Sequence, residues 1–417
     1  MVAFLRRTSG RGGAGGTNSY CALGDVATLS PAGTWFAEGT TAGADDLRPV
    51  RVGQGLDRAP LINTNDGEPM ETAISTIPVK GRVHDITVSR DGEHAYVALS
   101  KSVMVLNSEN RVVAGIPLPD HATNLLMDAD GKQLIVSRRG GSVSVVDTDI
   151  YTVRVLRDCV VSDVVVSPDG HYLYAVHRQT PDRGAADFVT AIDIASESTG
   201  FNIPIDDVAG LALNPAGTRL YAISYDRRAY YQYPPGRLIM VDAASGTVAD
   251  AIAIGACPGS VTVGPDGTCL CVTHYDTRSV SMVNLATCTV RTVGLRDAPL
   301  GTVFTPDGTH VYVTNEHSLT VIDTTTTSAY ELVAGDLPRG LQLSPDGKHA
   351  YSTNFGDGTI SVIDTITNSI TATLEVLSHP EAVAVSADGE RVYVGDYWSR
   401  AVAVISVPML RDLHGNI

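Results

Sequence analysis

The stretch LQLSPDGKHAYSTNFGDGTISVID, Leu341 to Asp364, reads as an apolar strand, an Asp-Gly turn, an alternating strand, a short polar loop and a third strand ending in Asp. Val, Ile, Leu and Tyr at period two, punctuated by Pro-Asp-Gly and Gly-Asp-Gly, is a hairpin signature. One such unit would be an ordinary antiparallel meander. The same pattern recurs along nearly the whole chain, so the fold is decided by counting it.

The turn dipeptide sets the register. It occurs at Asp91-Gly92, Asp130-Gly131, Asp169-Gly170, Ala216-Gly217, Asp266-Gly267, Asp307-Gly308, Asp346-Gly347 and Asp388-Gly389. These anchors lie roughly 39 to 50 residues apart, with three strands around each turn and a fourth before the next unit, as in RVVAGIPLP from Arg111 and SITATLEV from Ser369. That period predicts an all-β chain forming a single β-propeller of eight four-stranded blades, or seven if the unit with the Ala216-Gly217 turn is not a separate blade. The last unit stops after its third strand, AVAVISVP at 401–408, while AISTIPVKG at 73–81 precedes the first inner strand. The leading strand is therefore expected to pair with the trailing blade and close the ring, removing exposed sheet edges.

Repeat by repeat, the second strands read Tyr312-Val313-Thr314-Asn315, YSTN at 351–354, YVGD at 393–396 and CVTH at 271–274, with SPDG before and SVIDT after. Over roughly residues 73–408 this resembles the YVTN family of β-propeller repeats. The resemblance implies the architecture. Family members include surface proteins, ligand binders and relatives of lactonases, so it implies little about activity.

The chain has 417 residues, 43% of them apolar and 18% charged, with 40 glycines, a globular composition suited to short strands and many turns. The formal charge of −16 opposes broad contact with nucleic acid or an anionic membrane. No apolar run is long enough to span a bilayer, so no membrane insertion is expected. Six scattered cysteines cannot staple a fold of this length; Cys269 and Cys271 read as buried small hydrophobes or as half a metal site. An apolar run of four residues before Arg6 and Arg7 is too short for a secretory signal, which points to the cytoplasm, with the cell envelope or surface as the alternative. Residues 1–72, rich in Gly, Thr and Ala, are expected to be irregular, with a turn-like piece at Leu29 to Gly39. The propeller follows at 73–408 and a tail at 409–417.

Asp147, Asp193, Asp242, Asp323 and Asp364, with Asn284, end successive third strands. One per blade, they are spread too far around the ring for a metal site and are expected to accept hydrogen bonds from turn amides. His94, His310 and His349 each follow a turn Asp by three residues and belong to the same turn type.

Function is better sought where the repeat breaks. Inner strands begin at the mouth of the central channel, on the face where the loops between second and third strands open, the upper face. Seven residues before each turn anchor stand His84, Thr123, Ser162, Ala209, Gly259, Leu300, Arg339 and Glu381. Arg339, Glu381 and His84 fall in blades that become consecutive on closure, with Asp85, Asn124 and Asp163 one position along and His379 beside Glu381. A carboxylate or imidazole could act as a base there and a guanidinium could stabilise an oxyanion. Lactonase propellers, within the resemblance, use comparable residue types, so a lactonase-like hydrolase is one expectation; the plainer one is an Arg–Glu ion pair with a solvated His lining a channel.

The two widest spacings come from HRQTPDRGAADF, His177 to Phe188, and SYDRRAYYQYPPGR, Ser224 to Arg237. Both loops should leave the upper face, across the ring from that trio. His177, Arg183, Tyr225, Arg227, Arg228, Tyr230, Tyr231 and Tyr233 are residue types common at binding hot spots; the alternative is an extension lying against its neighbours. His274, Glu316 and His317 are weak metal candidates on adjacent loops without any fixed ligand spacing, so no metal and no cofactor are expected. The leading expectation is a non-catalytic binding or scaffold propeller, a monomer receiving a small ligand or a protein partner on its upper face. A cell-envelope structural protein is the remaining alternative.

Overall fold

The computed structural model describes residues 73–409, apart from Ala129 and residues 139–140, 158–160, 178–186 and 228–231. The segment 1–72, with its turn-like piece at 29–39, and the tail beyond 409 lie outside the described residues.

Blade seven shows how the repeat becomes structure. Its strands run Pro338–Leu343, His349–Asn354, Thr359–Asp364 and Ser369–Glu375 from the channel outward. The two middle strands are buried along almost every position, because neighbouring blades cover both faces. The outer strand alternates between half-buried and exposed residues, since only one face meets a neighbour. Thus the apolar runs and the alternating runs of the sequence mark radial position.

The Ser-Pro-Asp-Gly turn is held by its own side chains. The Ser344 hydroxyl donates to Asp346 at 2.6 Å and accepts from the His349 amide at 3.0 Å, while Asp346 accepts from the Lys348 amide at 3.1 Å. Gly347 has φ 68°, and a Cβ there would lie 2.6 Å from Pro306 of the preceding blade's turn. Glycine is therefore required twice, for the left-handed backbone and for the neighbour's proline. Gly217 meets Pro168 in the same way, at 2.8 Å.

Tyr, Thr and Asn of the second strand each have a task. The Tyr312 hydroxyl donates to Asn368 of the next blade, and Tyr393 reaches Asn110 across the ring closure. The hydroxyls of Thr314 and Thr353 accept from the inner-strand amides of Gly301 and Gly340 at 2.9 and 2.8 Å. Asn315 and Asn354 donate to Thr320 and Ser361 of their third strands. Third-strand Asp and Asn residues accept turn amides as expected: Asp364 from Ile366 and Thr367, Asp323 from Thr325 and Thr326, Asn284 from Ala286 and Thr287.

Eight four-stranded antiparallel sheets result, so the fold is an all-β, eight-bladed propeller. The fourth unit, with strands Val208–Leu213, Arg219–Ser224, Pro235–Asp242 and Val248–Ala256, is a blade of its own, which removes the seven-blade alternative. Closure follows the expected route: Ile74–Pro78 pairs antiparallel with Ala401–Ser406, from Ile74 opposite Ile405 to Pro78 opposite Ala401. No helix among the described residues is long and apolar enough to cross a membrane.

Candidate functional site at the upper channel mouth

Arg339 and Glu381 stand on neighbouring inner strands, Pro338–Leu343 and Pro380–Val385. The seam between them is tight. Thr353 accepts from the Gly340 amide and donates to the Glu381 carbonyl at 3.1 Å, and a Cβ on Gly340 would lie 2.4 Å from that carbonyl. Glycine next to Arg339 thus lets the two backbones approach and fixes the spacing of the two side chains.

The pair is not the ion pair that the sequence suggested. Among the described residues, no hydrogen bond and no ion pair within 4.0 Å reaches the Arg339 guanidinium or the Glu381 carboxyl. Arg339 instead lies over the Phe355 ring, 5.6 Å from its centre, and Phe355 packs against His379 at 5.0 Å. Burial pushes Glu381 up to about 7, against the opposing pull of Arg339 and with a further push from Asp396. Asp396, the last residue of its strand, accepts from the amides of His379, Trp398 and Ser399 at 2.6, 2.7 and 2.5 Å. It occupies the place that Asn315 and Asn354 hold in blades six and seven and shapes the loop that follows.

That loop supplies residues that sequence reasoning missed. Tyr397 accepts from Arg82 at 2.9 Å, and the Arg82 guanidinium lies 4.8 Å from the centres of both the Tyr397 and Trp398 rings. Trp398 is 54% exposed, and a large exposed aromatic beside a polar cluster was a signal available in WSR at 398–400. His84, the third member of the expected trio, packs edge-on against Tyr397 at 5.4 Å, its ring nitrogens enclosed by protein. The structure therefore joins Arg339 and Glu381 electrostatically and sets His84 in the adjoining aromatic cluster. On the other side, burial raises the Tyr275 phenol to about 12; its hydroxyl donates to Glu316 at 3.1 Å, and Arg339 acts against the rise.

Asp85 and Asp163, read as additional polar groups of the mouth, are fastenings between blades. Asp85 is fully buried and accepts from the amides of Ile86 and Leu125, both at 2.8 Å. Asp163 does the same for Val164 and Leu211. Each bonds its own inner strand and the next one.

The metal candidates do not assemble, and no group of metal-ligating side chains occurs among the described residues. His274 is buried with both ring nitrogens engaged, by the Ala256 carbonyl at 2.9 Å and the Ser281 hydroxyl at 2.8 Å, and burial lowers it to about 4. Glu316 is taken up by Tyr275, and His317 lies 3.6 Å from Asp336. Cys271 is enclosed in the core, where burial raises its thiol.

Across the ring, Arg183, Arg228, Tyr230 and Tyr231 lie outside the described residues. His177 is buried and stacks on Phe188 at 4.7 Å. Tyr225 belongs to an apolar cluster with Ile223, Leu238 and Cys257. Arg227 donates to the Val208 carbonyl at 2.5 Å and opposes the upward push of burial on Asp207. Tyr233 is exposed, with φ 49°. The described feet of these loops are thus bound to the blades.

Residues 305–414 match the family model of the cytochrome D1 heme domain. Hydrazine synthase of Kuenenia stuttgartiensis has a similar structure, with TM-score 0.54 and 19% identity over 79% of this chain and 97% of that one. The C-terminal WD40 domain of Sif2 is similar with TM-score 0.65 and 10% identity over 80% and 97%. No curated protein matches the chain. At these identities the structural neighbours establish the propeller fold. The described histidines of the matched stretch do not make a haem site: His310 and His349 begin second strands on the lower face, His317 sits by Asp336, and His379 packs on Phe355 with its Nδ1 enclosed.

Proposed function

We propose that the chain is a YVTN-type repeat propeller that works by binding, and that its ligand or partner sits at the upper channel mouth around Arg339, Phe355, His379 and Glu381. One observation carries this reading: a guanidinium on the seam of blades seven and eight with no acceptor among the described residues. An arginine that serves packing alone ordinarily finds a carboxylate or carbonyl for some of its five N–H donors. This one is held on an aromatic ring and keeps its hydrogen-bonding capacity available.

A second reading, lactonase-like hydrolysis, draws support from Glu381, whose elevated pKa suits a general acid or base near neutrality. It has less from His84, which is engaged with Tyr397. Haem binding has only the family match behind it.

The test is thermal denaturation with a panel of sugar acids, lactones, nucleotides, divalent metals and haemin, since a ligand that binds only the folded state raises the melting temperature. At least one class should shift the wild type and fail to shift Arg339→Gln. A panel without effect, or a shift that survives Arg339→Gln, would remove the mouth as the binding site. Turnover of a lactone, lost in Glu381→Gln, would favour the hydrolase.

A further inference from the structure

We propose that Arg339 receives a small carboxylate anion, and that its occupation is coupled to protonation of Glu381. The inference rests on the reading of the mouth as a binding site and names the ligand chemistry and its regulation.

The argument begins with the charges around the seam. Arg339 comes from the inner strand of blade seven, Glu381 from that of blade eight, and Asp396 from the second strand of blade eight. His379 precedes Glu381, Tyr275 and Glu316 lie on the Arg339 side, and the blade-one inner strand brings His84 and the amide-bound Asp85. Arg82 is held on the Tyr397 and Trp398 rings; Arg339 is the cation whose charge acts on Glu381, and its planar fork matches a carboxylate. Phe355 backs the guanidinium and orients it.

An arriving anion meets Arg339 beside two carboxyl groups, Glu381 and Asp396. The three cannot all remain charged cheaply in a partly desolvated mouth. The oxygens of Asp396 are already filled by three backbone N–H groups. The Glu381 carboxyl accepts no hydrogen bond among the described residues. Glu381 is therefore the group that takes the proton. Burial and Asp396 have already moved it to about 7, and an anion that neutralises Arg339 removes the one influence holding it down.

Above pH 7 the free protein holds Glu381 increasingly ionised, so binding must draw a proton from solution, and affinity falls as pH rises. The limiting slope for one linked proton is roughly tenfold in affinity per pH unit. Well below pH 7 Glu381 is already protonated and the dependence vanishes.

Isothermal titration of the full chain with benzoate and with acetate, between about pH 6 and pH 8.5 and in two buffers of different ionisation enthalpy, measures both affinity and proton uptake. Binding should weaken roughly tenfold per unit above neutrality, with uptake approaching one proton. Arg339→Gln should weaken benzoate at least tenfold, and Arg339→Lys should recover part of that loss, with melting curves confirming that both fold. Glu381→Gln should bind at pH 8.5 about as tightly as the wild type does at pH 6, without a slope. Lack of binding by either carboxylate, indifference to Arg339→Gln, or a slope that persists in Glu381→Gln each overturns the proposal. If another ligand class then stabilises the protein in an Arg339-dependent way, the carboxylate inference alone has failed; if nothing does, the binding reading fails with it.

Discussion

The lower and upper faces of this ring use the same residue types to opposite ends. On the lower face the repeated turn carboxylates are surrounded by donors: Asp346 by the Ser344 hydroxyl and the Lys348 amide, and Asp307 by the Thr305 hydroxyl and the Thr309 amide, and both are held below the usual carboxylate range. On the upper face the Glu381 carboxyl has no donor among the described residues and is pushed up. Saturated polar groups make a scaffold, and unsaturated ones at the end of a rigid strand make a place for something else. The lower turns repeat because each solves the same packing problem; the mouth differs from blade to blade because packing does not dictate it.

The sharpest way to break this contrast is at the seam that positions the mouth. Gly340→Val would put side-chain carbon against the Glu381 carbonyl, Thr353 and Val383, all within 2.9 Å of the Cβ position. A destabilisation of about 3 kcal/mol is expected, together with loss of any ligand effect that depends on Arg339. Chemical denaturation checks the first and the ligand panel the second. A seam that tolerates valine would mean that the spacing of Arg339 and Glu381 is not fixed by glycine.

Blade two sharpens the comparison from below, because it carries an upper-face kind of problem on the lower face. Where blades one, three, six, seven and eight have Ser89, Ser167, Thr305, Ser344 and Ser386, it has Asp128, buried, accepting from the Gln133 amide at 3.0 Å beside Asp130. Burial raises Asp128, and the neighbouring Asp130 adds to the rise; Asp130 itself is lowered, chiefly by the Lys132 amide. The folded form of Asp128 therefore holds its proton to higher pH than the unfolded chain. Its contribution is fully present below the ordinary Asp value of 3.8 and declines as pH rises through the folded value. Asp128→Ser supplies the hydroxyl that five other turns carry and should stabilise the protein by about 1 kcal/mol at pH 8, with less gain at pH 4. An equal gain at both pH values would show that no such proton is held.

The smallest effect belongs to an ordinary lower turn. Asp307→Ala removes an acceptor for Thr305 and Thr309 and should lose about 1 kcal/mol near neutrality. Because the folded value of Asp307 is depressed, its contribution is present above 3.8 and disappears as pH falls, so wild type and variant should converge in acid. Divergence there would mean that the turn is held by something other than its carboxylate.

The legible part of the molecule was the part governed by repetition. The turn glycines located eight blades because each is left-handed, a backbone that glycine adopts readily, and at Gly217 and Gly347 the preceding blade's proline also leaves no room for a side chain. Third-strand Asp residues were read correctly because local turn bonding depends on neighbours one to three residues away. The mouth was legible only as a set of positions. Spacing brought Arg339 and Glu381 to adjacent inner strands, yet it could not tell an ion pair from two unpartnered groups, a matter of ångströms set by Phe355 and Gly340. His84 and His274 misled for a related reason: a histidine near the upper face may point into the channel, into a neighbouring ring or into the core, and one residue's identity does not choose. Asp85 was read as lining, whereas its partner is an amide forty residues on. The aromatic corner of Arg82, Tyr397 and Trp398 joins the two ends of the repeat array, so the WSR stretch could mark Trp398 but not its pairing with Arg82.

Closure by the leading strand has a consequence for synthesis. Ile74 emerges from the ribosome roughly 330 residues before its partner Ile405, an interval of about 15 to 65 seconds at ordinary elongation rates. During that time seven blades can form in order, each templated on the last, while the strand that seals the ring waits with its backbone unpaired. Its sequence, ISTIP, suits the wait: it is short, carries Ser and Thr at positions that stay exposed in the finished ring, and ends in a proline that cannot extend a ladder. The earliest of the described strands is thus the last to be used, and its length, exposed polar residues and closing proline disfavour a wrong partner.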